Sequence, residues 1–319
     1  MDNNTGKVHF IEVDENMQQQ RIDNFLSRYL HKVPKTHIYK IIRKGEVRVN
    51  KKRIKPVYKL VLGDLIRIPP VKTVEKITYT PSVSLIKVIK DSILFENKQL
   101  LVINKPSGLA VHGGSGINHG LIESLRFMYP QQKFLELVHR LDRDTSGCIL
   151  IAKQRVALIS LHKQLRMRES DKRYLALTCG QWNSGERLID APLQKNTLKS
   201  GERVVRVDVA GKACRSIFIP KIKYNNYCLF EIKIETGRTH QIRVHAQHIK
   251  HPVAGDSKYG SFACDQRLKA KGLNRLFLHA SQITINMDFS NAGKQTFKAP
   301  LPEKLQQVLA NIDNEKSAC

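Results

Sequence analysis

Long apolar runs are absent from this chain of 319 residues. A helix that crosses a bilayer needs about 20 consecutive apolar residues, and the apolar runs here are far shorter. The N-terminal residues MDNNTGKVHF also lack the basic start and the apolar segment of a secretory signal. These absences argue against a membrane-spanning protein and favour a cytoplasmic one without membrane contact.

Cysteine is sparse and scattered. No C-x-x-C pair occurs, and no Cys/His group has the spacing of a zinc site. We therefore expect reduced, mostly structural thiols and no bound metal. The six cysteines are Cys148, Cys179, Cys214, Cys228, Cys264 and Cys319.

Motifs of nucleotide-binding and hydrolytic proteins are also missing. The glycine-rich stretch VHGGSGINHG (111–120) lacks the Lys-Ser/Thr ending of a P-loop and the spacing of a dinucleotide fingerprint, so we interpret it as a loop. There is no G-x-S-x-G and no H-E-x-x-H. A two-histidine metal site in HQIRVHAQH (240–248) remains an alternative, but without a carboxylate in register, RNA-contacting or surface histidines are favoured.

Acidic residues are scarce relative to basic ones. The chain has 54 Lys and Arg against 28 Asp and Glu, a formal net charge of +26. Such an excess predicts a polyanionic partner. Without an amphipathic anchor or a lipidation signal to indicate a membrane surface, nucleic acid is the favoured partner.

The basic excess is strongest in residues 18–70, which contain 14 Lys and Arg but only three acidic residues. Apolar residues at 22, 25, 26 and 29 predict one helix, and Ile38, Ile41 and Ile42 form the apolar stripe of a second helix over 35–44. EVRVNKKRIKP (46–56) then predicts strand, turn and strand. A solvated basic surface is the alternative to RNA binding here.

This unit resembles the S4 RNA-binding domain over about residues 18–75, in RIDNFL, IRKGEVRVN and GDLIRI. The resemblance implies that its basic second helix and turn contact RNA. The candidate contacts are Lys35, Arg43, Lys44, Arg48, Lys51 and Lys52.

We predict four segments along the chain: an N-terminal extension (1–17), the S4-like domain (18–75), a linker (76–84) and a larger domain (85–319). In the larger domain, strand-like runs such as QLLVINK and YCLFEIKIE outnumber helical ones, of which 156–166 and 240–249 are the clearest. The predicted fold class is α+β, with a largely antiparallel mixed sheet in the larger domain.

HRLDRDTSG (139–147) places four charged residues between two apolar runs. Taken alone, this stretch favours a charged surface turn, because Asp, Thr, Ser and Gly all favour turns. Other segments occur with it, however, in one order: VINKPSGLAVH, DKRYLAL, GRTHQIRVH, HPVAGDSKYG and RLFLHA. Together they resemble the RluA-type pseudouridine synthases over nearly the whole chain.

The resemblance implies roles for individual residues. Asp142 matches the essential catalytic carboxylate, Arg243 its cationic partner, and Tyr174 the residue that stacks on the uracil and helps remove its C5 proton. Arg140 matches a residue that enters the space left by the flipped nucleotide, and we expect Arg238 and His240 also to contact RNA. Asp144 is expected only to stabilise the turn, because a short carboxylate at that position can accept hydrogen bonds from the turn backbone.

The implied reaction is the isomerisation of specific uridines to pseudouridine in RNA, namely 23S rRNA or its precursor. The product is an isomer, so no cofactor is consumed. A catalytically silent rRNA-binding protein and an RNA glycosylase are the alternatives. We expect the protein to be a monomer.

Overall fold

The computed structural model describes residues 7–30, 33–71, 80–113, 119–197 and 203–316. The chain divides into two compact units, Met1–Thr80 and Pro81–Cys319. Among the described residues, no helix has the length and apolarity needed to span a membrane. Part of the predicted linker (76–79), part of the glycine-rich loop (114–118) and Cys319 lie outside the described residues.

The smaller unit contains two helices and a four-stranded sheet of order β1-β4-β2-β3. Strand β1 lies within the predicted N-terminal extension and pairs antiparallel with β4. The smaller unit therefore begins before Gln18. Its elements are β1 (His9–Glu12), α1 (Ile22–Tyr29), α2 (Lys35–Arg43), β2 (Arg48–Val49), β3 (Lys52–Arg53) and β4 (Leu65–Ile68).

The predicted stripe of α2 forms part of the core of this unit. Ile38, Ile41 and Ile42 are buried against the apolar face of α1, as the helical spacing predicted. The predicted hairpin is also present, because β2 and β3 pair through a turn in which Asn50 and Lys51 both have positive φ. Two consecutive residues with positive φ are typical of a tight hairpin turn.

The larger unit is built on a ten-stranded mixed sheet, in which β10-β13-β14-β9-β15-β8-β6-β5 are neighbours in that order. Only the β8–β15 pair is parallel among the pairings described for this sheet. The predicted α+β class is confirmed. The strands of this unit are β5 (Ile93–Glu96), β6 (Leu100–Lys105), β7 (Glu136–Leu137), β8 (Ser146–Ala152), β9 (Asp171–Cys179), β10 (Arg187–Asp190), β11 (Leu193–Thr197), β12 (Arg203–Val207), β13 (Arg215–Lys223), β14 (Tyr227–Ile234), β15 (Leu278–Asn286) and β16 (Lys294–Lys298).

Helices pack around this sheet, and two of them were predicted: α5 matches the expected 156–166 and α6 the expected 240–249. Helix α3 begins at Val83, inside the segment predicted as a linker up to residue 84. The helices of the larger unit are α3 (Val83–Asp91), α4 (Leu121–Met128), α5 (Arg155–Met167), α6 (Gln241–His248), α7 (Phe262–Lys269) and α8 (Glu303–Lys316), with a short 3₁₀ turn at Asp288–Ser290.

The cysteine prediction needs correction at one pair. Cys179 at the end of β9 and Cys264 on α7 form a disulfide, whereas we expected reduced thiols throughout. The two residues are 85 positions apart, and nothing in their spacing indicates the pairing. Cys148, Cys214 and Cys228 are free and buried, as expected of structural thiols.

Candidate active site

The predicted catalytic residues meet in one pocket of the larger unit. Asp142, Tyr174 and Arg243 all line it, although they are distant in sequence. Arg140, Arg238 and His240, which we expected to contact RNA, line the same pocket. Asp142 is on the loop before β8, Tyr174 on β9, and Arg243 on α6.

A buried lysine holds the loop that carries Asp142. The Lys105 ammonium, at the end of β6, donates to the carbonyl oxygens of Pro106, Leu109 and Arg143 at 2.8, 2.8 and 2.9 Å. Burial lowers the pKa of Lys105 to about 7, and the charge of Arg275 acts in the same direction. The bond to the Arg143 carbonyl fixes the loop directly after Asp142 to the segment that follows β6.

A second set of bonds holds the far end of the loop. Arg275 donates to the Ser146 hydroxyl at 2.9 Å and to the Asp144 carbonyl at 3.3 Å. The Ser146 hydroxyl lies 2.9 Å from His279 Nδ1, and Nε2 of His279 lies 3.1 Å from the Ala299 carbonyl. The next residue, Gly147, has φ +115°, and a Cβ there would collide with the Ala280 backbone, so only glycine permits this parallel contact.

Arg243 is bound mainly to an aspartate that sequence reasoning did not assign. Its Nε and Nη2 donate to the two carboxylate oxygens of Asp256, each at 2.7 Å, while Nη1 lies 3.6 Å from Asp142 Oδ2. Burial alone would raise the pKa of Asp256, but the hydrogen bonds and charge of Arg243 outweigh it and the pKa is lowered. Asp256 therefore holds Arg243, and Asp142 lies near the same guanidinium without a hydrogen bond to it.

His240 lies beside Asp142 as well as in the predicted RNA-contact region. Its Nε2 is 3.8 Å from Asp142 Oδ2, and its Nδ1 is 2.8 Å from the Tyr259 hydroxyl. That hydroxyl accepts from the Val205 amide at 3.0 Å, which leaves its own hydrogen able to donate to Nδ1 of a neutral His240. Burial lowers the pKa of His240, which favours this neutral form.

The backbone of His240 is in the left-handed region, with φ 54° at the start of α6. A residue other than glycine adopts this conformation at a cost, and such residues cluster at functional sites. With this backbone conformation the His240 imidazole lies beside Asp142.

Tyr174, which we expected to stack on the uracil, lies at the boundary between the core and the pocket. Its side chain is only 8% exposed and packs in the main core cluster, yet it also lines the Asp142 pocket. Burial, followed by the negative charge of Asp142, raises its pKa, so the phenol is neutral at physiological pH.

Asp144 and Arg140 differ from the pocket residues in exposure. The Asp144 carboxylate is 44% exposed and lies 3.3 Å from Arg143 Nε, which fits the turn role predicted for it. Arg140 is exposed at the pocket mouth. An exposed guanidinium there is available to an incoming ligand.

The basic residues predicted in the smaller unit form an exposed surface. The side chains of all six candidates are exposed, and Lys44, Arg48 and Lys51 line an open groove with Arg67. Phe10, which is 62% exposed, lies in the same groove. A basic groove with an aromatic side chain is typical of nucleic-acid binding.

Asp256, Lys105 and Tyr259 are the site residues that sequence reasoning missed. All three lie in segments quoted above, HPVAGDSKYG and VINKPSGLAVH, so their position in the pattern was visible but their partners were not. One feature of the sequence could have indicated Asp256: it is the single acidic residue of HPVAGDSKYG, and it stands between a glycine and a serine.

The described residues contain one group with the composition of a metal site: Cys179, Cys264 and Asp265. Two of its three members are joined in the disulfide, and the Asp265 carboxylate accepts from the Gly255 amide at 2.7 Å. A disulfide offers no thiolate to a metal. This group therefore does not fit a metal ion.

Chemically, the pocket offers an enclosed carboxylate, a fixed guanidinium, a neutral histidine and a phenol ring. Among the described residues, no N–H or O–H group donates a hydrogen bond to the Asp142 carboxylate. A carboxylate with open lone pairs beside a fixed cation can act as a nucleophile or as a base.

Comparison with known proteins confirms the resemblance. Family models for an RNA pseudouridylate synthase and for an S4 domain match residues 99–248 and 20–66. Similar curated proteins are ribosomal large subunit pseudouridine synthase C of Yersinia pestis, 51% identical over 97% of both chains, and its namesake from Escherichia coli (strain K12), 48% identical over 99% of this chain and 100% of that one. The solved structure of human RNA pseudouridylate synthase domain containing 4 covers 72% of this chain and 96% of its own, with 25% identity and a TM-score of 0.59.

Proposed function

The chain belongs to the RNA pseudouridylate synthase family, and from this premise we propose that it isomerises uridines of the large ribosomal subunit's 23S RNA to pseudouridine in the Asp142 pocket. The reaction breaks the bond between C1′ and N1, turns the uracil, joins C1′ to C5 and removes the C5 proton. Because the product is an isomer of the substrate, no co-reactant is needed.

The observation that carries the proposal is the Asp142 carboxylate, enclosed in the pocket and free of hydrogen bonds among the described residues. Arg243 Nη1, 3.6 Å from Asp142 Oδ2, places a positive charge beside it. We assign Asp142 as the essential carboxylate that acts at the ribose or the uracil.

Tyr174 is proposed to stack on the turned uracil and to assist removal of the C5 proton. A neutral buried phenol is a weak base. Its ring, packed into the core, is rigid, which suits the stacking role.

Base extrusion costs a few kcal/mol, and a guanidinium that replaces the flipped nucleotide can offset part of that cost. Arg140, which is exposed at the pocket mouth, is proposed to fill this role. Arg238, on the same rim, and the basic groove of the smaller unit are proposed to bind the RNA backbone.

Replacing Asp142 with Asn tests the central assignment. The change removes the charge but keeps the shape, and Arg243 retains its bond to Asp256, so we expect turnover to fall by at least about a thousandfold with stability changed by less than about 1 kcal/mol. Asp144→Asn, an exposed neighbour on the same loop, is the matched control and should keep measurable activity.

The assay uses RNA tritiated at C5 of uridine. Isomerisation releases tritium to water, an RNA glycosylase releases labelled uracil, and a silent binding protein releases neither. Near wild-type tritium release by the Asp142 variant would refute the assignment.

A second test addresses the smaller unit. Neutralising Arg43, Lys44, Lys51 and Lys52 together should flatten the slope of log K against log salt by about 3 for single-stranded RNA, since each phosphate contact contributes about 0.7. The single-turnover rate on saturating RNA should be nearly unchanged. An unchanged slope would show that these basic residues face solvent and do not contact the RNA.

A further inference from the structure

A second, larger cavity of about 540 Å³ adjoins the Asp142 pocket in the same unit and has a different chemical character. The two share Arg140, Tyr174, Ile234, Gly237 and Arg238. We call it the basic cavity, because five Lys and Arg side chains line it against a single carboxylate. The cations are Arg140, Arg166, Arg168, Lys172 and Arg238.

The carboxylate that lines the basic cavity is already engaged. Glu235 lies 3.5 Å from the Arg168 guanidinium. The remaining cations face the cavity without a neutralising acid on its wall. The cavity therefore has an uncompensated positive charge.

Lys172 is the most informative of these cations. It is on β9, opposite Ile234 of β14 and Ile283 of β15, and is 9% exposed. No hydrogen-bond acceptor or ion-pair partner contacts its ammonium among the described residues. Burial lowers its pKa, as expected for a cation without a partner.

A buried, unpaired cation is costly, and an apolar side chain would serve the core better. The cost is offset if an anion enters the cavity. Lys172 and Tyr174 are two residues apart on the same strand face, roughly 6.6 Å along the strand, so a nucleotide on Tyr174 has its backbone within reach of Lys172.

We propose that the basic cavity binds a backbone phosphate of the RNA next to the flipped uridine, with Lys172 as its buried cation. This rests on the proposed function, since that function makes RNA the substrate. The phosphate binds at the inner end of the cavity, while the exposed Arg166 and Arg168 contact the RNA at its rim.

Lys172→Met tests the inference, because methionine has a similar length and no charge. We expect RNA binding to a 23S rRNA transcript to weaken about tenfold at fixed salt, with a slope of log K against log salt smaller by about 0.7. The unfolding temperature should equal or exceed that of the wild type, since an unpaired buried cation is lost. Lys163→Met, an exposed lysine on α5 outside the cavity, is the matched control and should change neither quantity.

An unchanged slope in a folded Lys172→Met variant would overturn the proposal, and so would a marked loss of stability, which would mean that Lys172 is paired within the protein. Arg166→Gln provides a second test at the rim, where folding is not at risk, and should also reduce the slope.

Inorganic phosphate at constant ionic strength distinguishes the source of the phosphate group. Stabilisation of the wild type but not of Lys172→Met by free phosphate, with identical RNA slopes, would assign the cavity to a free anion and overturn the RNA assignment. Wild-type tritium release is measured in parallel. Its absence, with the Lys172 effect intact, would refute the isomerase function and leave the phosphate site standing.

Discussion

Asp256→Asn is the sharpest test of how the site is assembled, because it changes a residue that does not itself face the RNA reaction. Asp256 is fully buried and accepts four hydrogen bonds. Oδ1 accepts from Arg243 Nη2 and from the amides of Lys258 and Tyr259 at 2.7, 2.9 and 3.0 Å, and Oδ2 accepts from Arg243 Nε at 2.7 Å.

The magnitude follows from this geometry. An asparagine oxygen at the Oδ1 position keeps three of the four bonds, but its NH₂ group then faces Arg243 Nε, donor against donor. The buried guanidinium also loses its countercharge. Removing one partner of a buried ion pair costs about 3–5 kcal/mol, and we expect about 3 here because three bonds survive.

For a unit of this size, such a loss lowers the unfolding temperature by about 6–12 °C. Arg243 should also shift towards Asp142, so turnover should fall at least about tenfold when measured well below the unfolding temperature. Calorimetry and single-turnover tritium release on the same preparation measure both effects.

Asp265→Asn is the matched control. Its carboxylate accepts from the Gly255 amide, directly before Asp256, and burial raises the pKa of Asp265. An amide oxygen can accept the same bond, so the loss should stay below about 1 kcal/mol. If Asp256→Asn unfolded within about 2 °C of the wild type with unchanged turnover, Arg243 would not depend on Asp256 and the reasoning would be wrong.

The pH dependence gives an independent readout. The pKa of Asp256 is lowered on folding, so its stabilising contribution is complete above the usual carboxyl pKa of about 3.9 and is lost as pH falls through the lowered value. The stability difference between wild type and Asp256→Asn should therefore be constant from about pH 5 to 8 and decrease below about pH 4.

Two further substitutions test the hydroxyl of Tyr174 and the support of the loop that carries Asp142. Tyr174→Phe keeps the packed ring but removes the hydroxyl, so RNA binding should be nearly intact while the late proton-removal step slows by about a hundredfold or more in single-turnover assays; an unchanged rate would exclude a chemical role for the hydroxyl. Lys105→Met leaves three carbonyls without their common donor and should cost about 3 kcal/mol or more in chemical denaturation. The pKa of Lys105 falls to about 7 on folding, so above pH 7 the unfolded state binds more protons than the folded state. The stability of the wild type relative to Lys105→Met should therefore rise between pH 7 and 9. A stability difference that does not change with pH would contradict the lowered pKa.

Local patterns predicted the parts of the fold that depend on near neighbours. The stripe of Ile38, Ile41 and Ile42 determines which face of α2 is buried, and the polar pair Asn50-Lys51 forms the predicted turn. Helix α4 was not among the predicted helices, although the Glu123 carboxylate accepts from the Gly120 amide at 2.8 Å and so caps its start.

Long-range pairing could not be predicted in the same way. The parallel contact between β8 and β15 joins Ser146 to His279, which are 133 residues apart, and the disulfide joins cysteines in unrelated segments. No periodic pattern in the local sequence predicts either contact. Likewise, the motif resemblance brought Asp142 and Arg243 together but did not show that Asp256 holds the arginine.

That division between the two aspartates explains how the half-buried Asp142 carboxylate remains available for chemistry. If Arg243 made its two short bonds to Asp142, the lone pairs of that carboxylate would be occupied and its charge largely neutralised. Asp256 takes those bonds instead, so Arg243 is fixed with its positive charge 3.6 Å from Asp142 Oδ2, too far for a hydrogen bond. His240, with its Nε2 at 3.8 Å, likewise lies near Asp142 without bonding to it. The pocket therefore has one fully bonded acid that holds the cation and one unbonded acid that faces the substrate. Asp256→Asn is therefore expected to lose stability, and Asp142→Asn to lose chemistry.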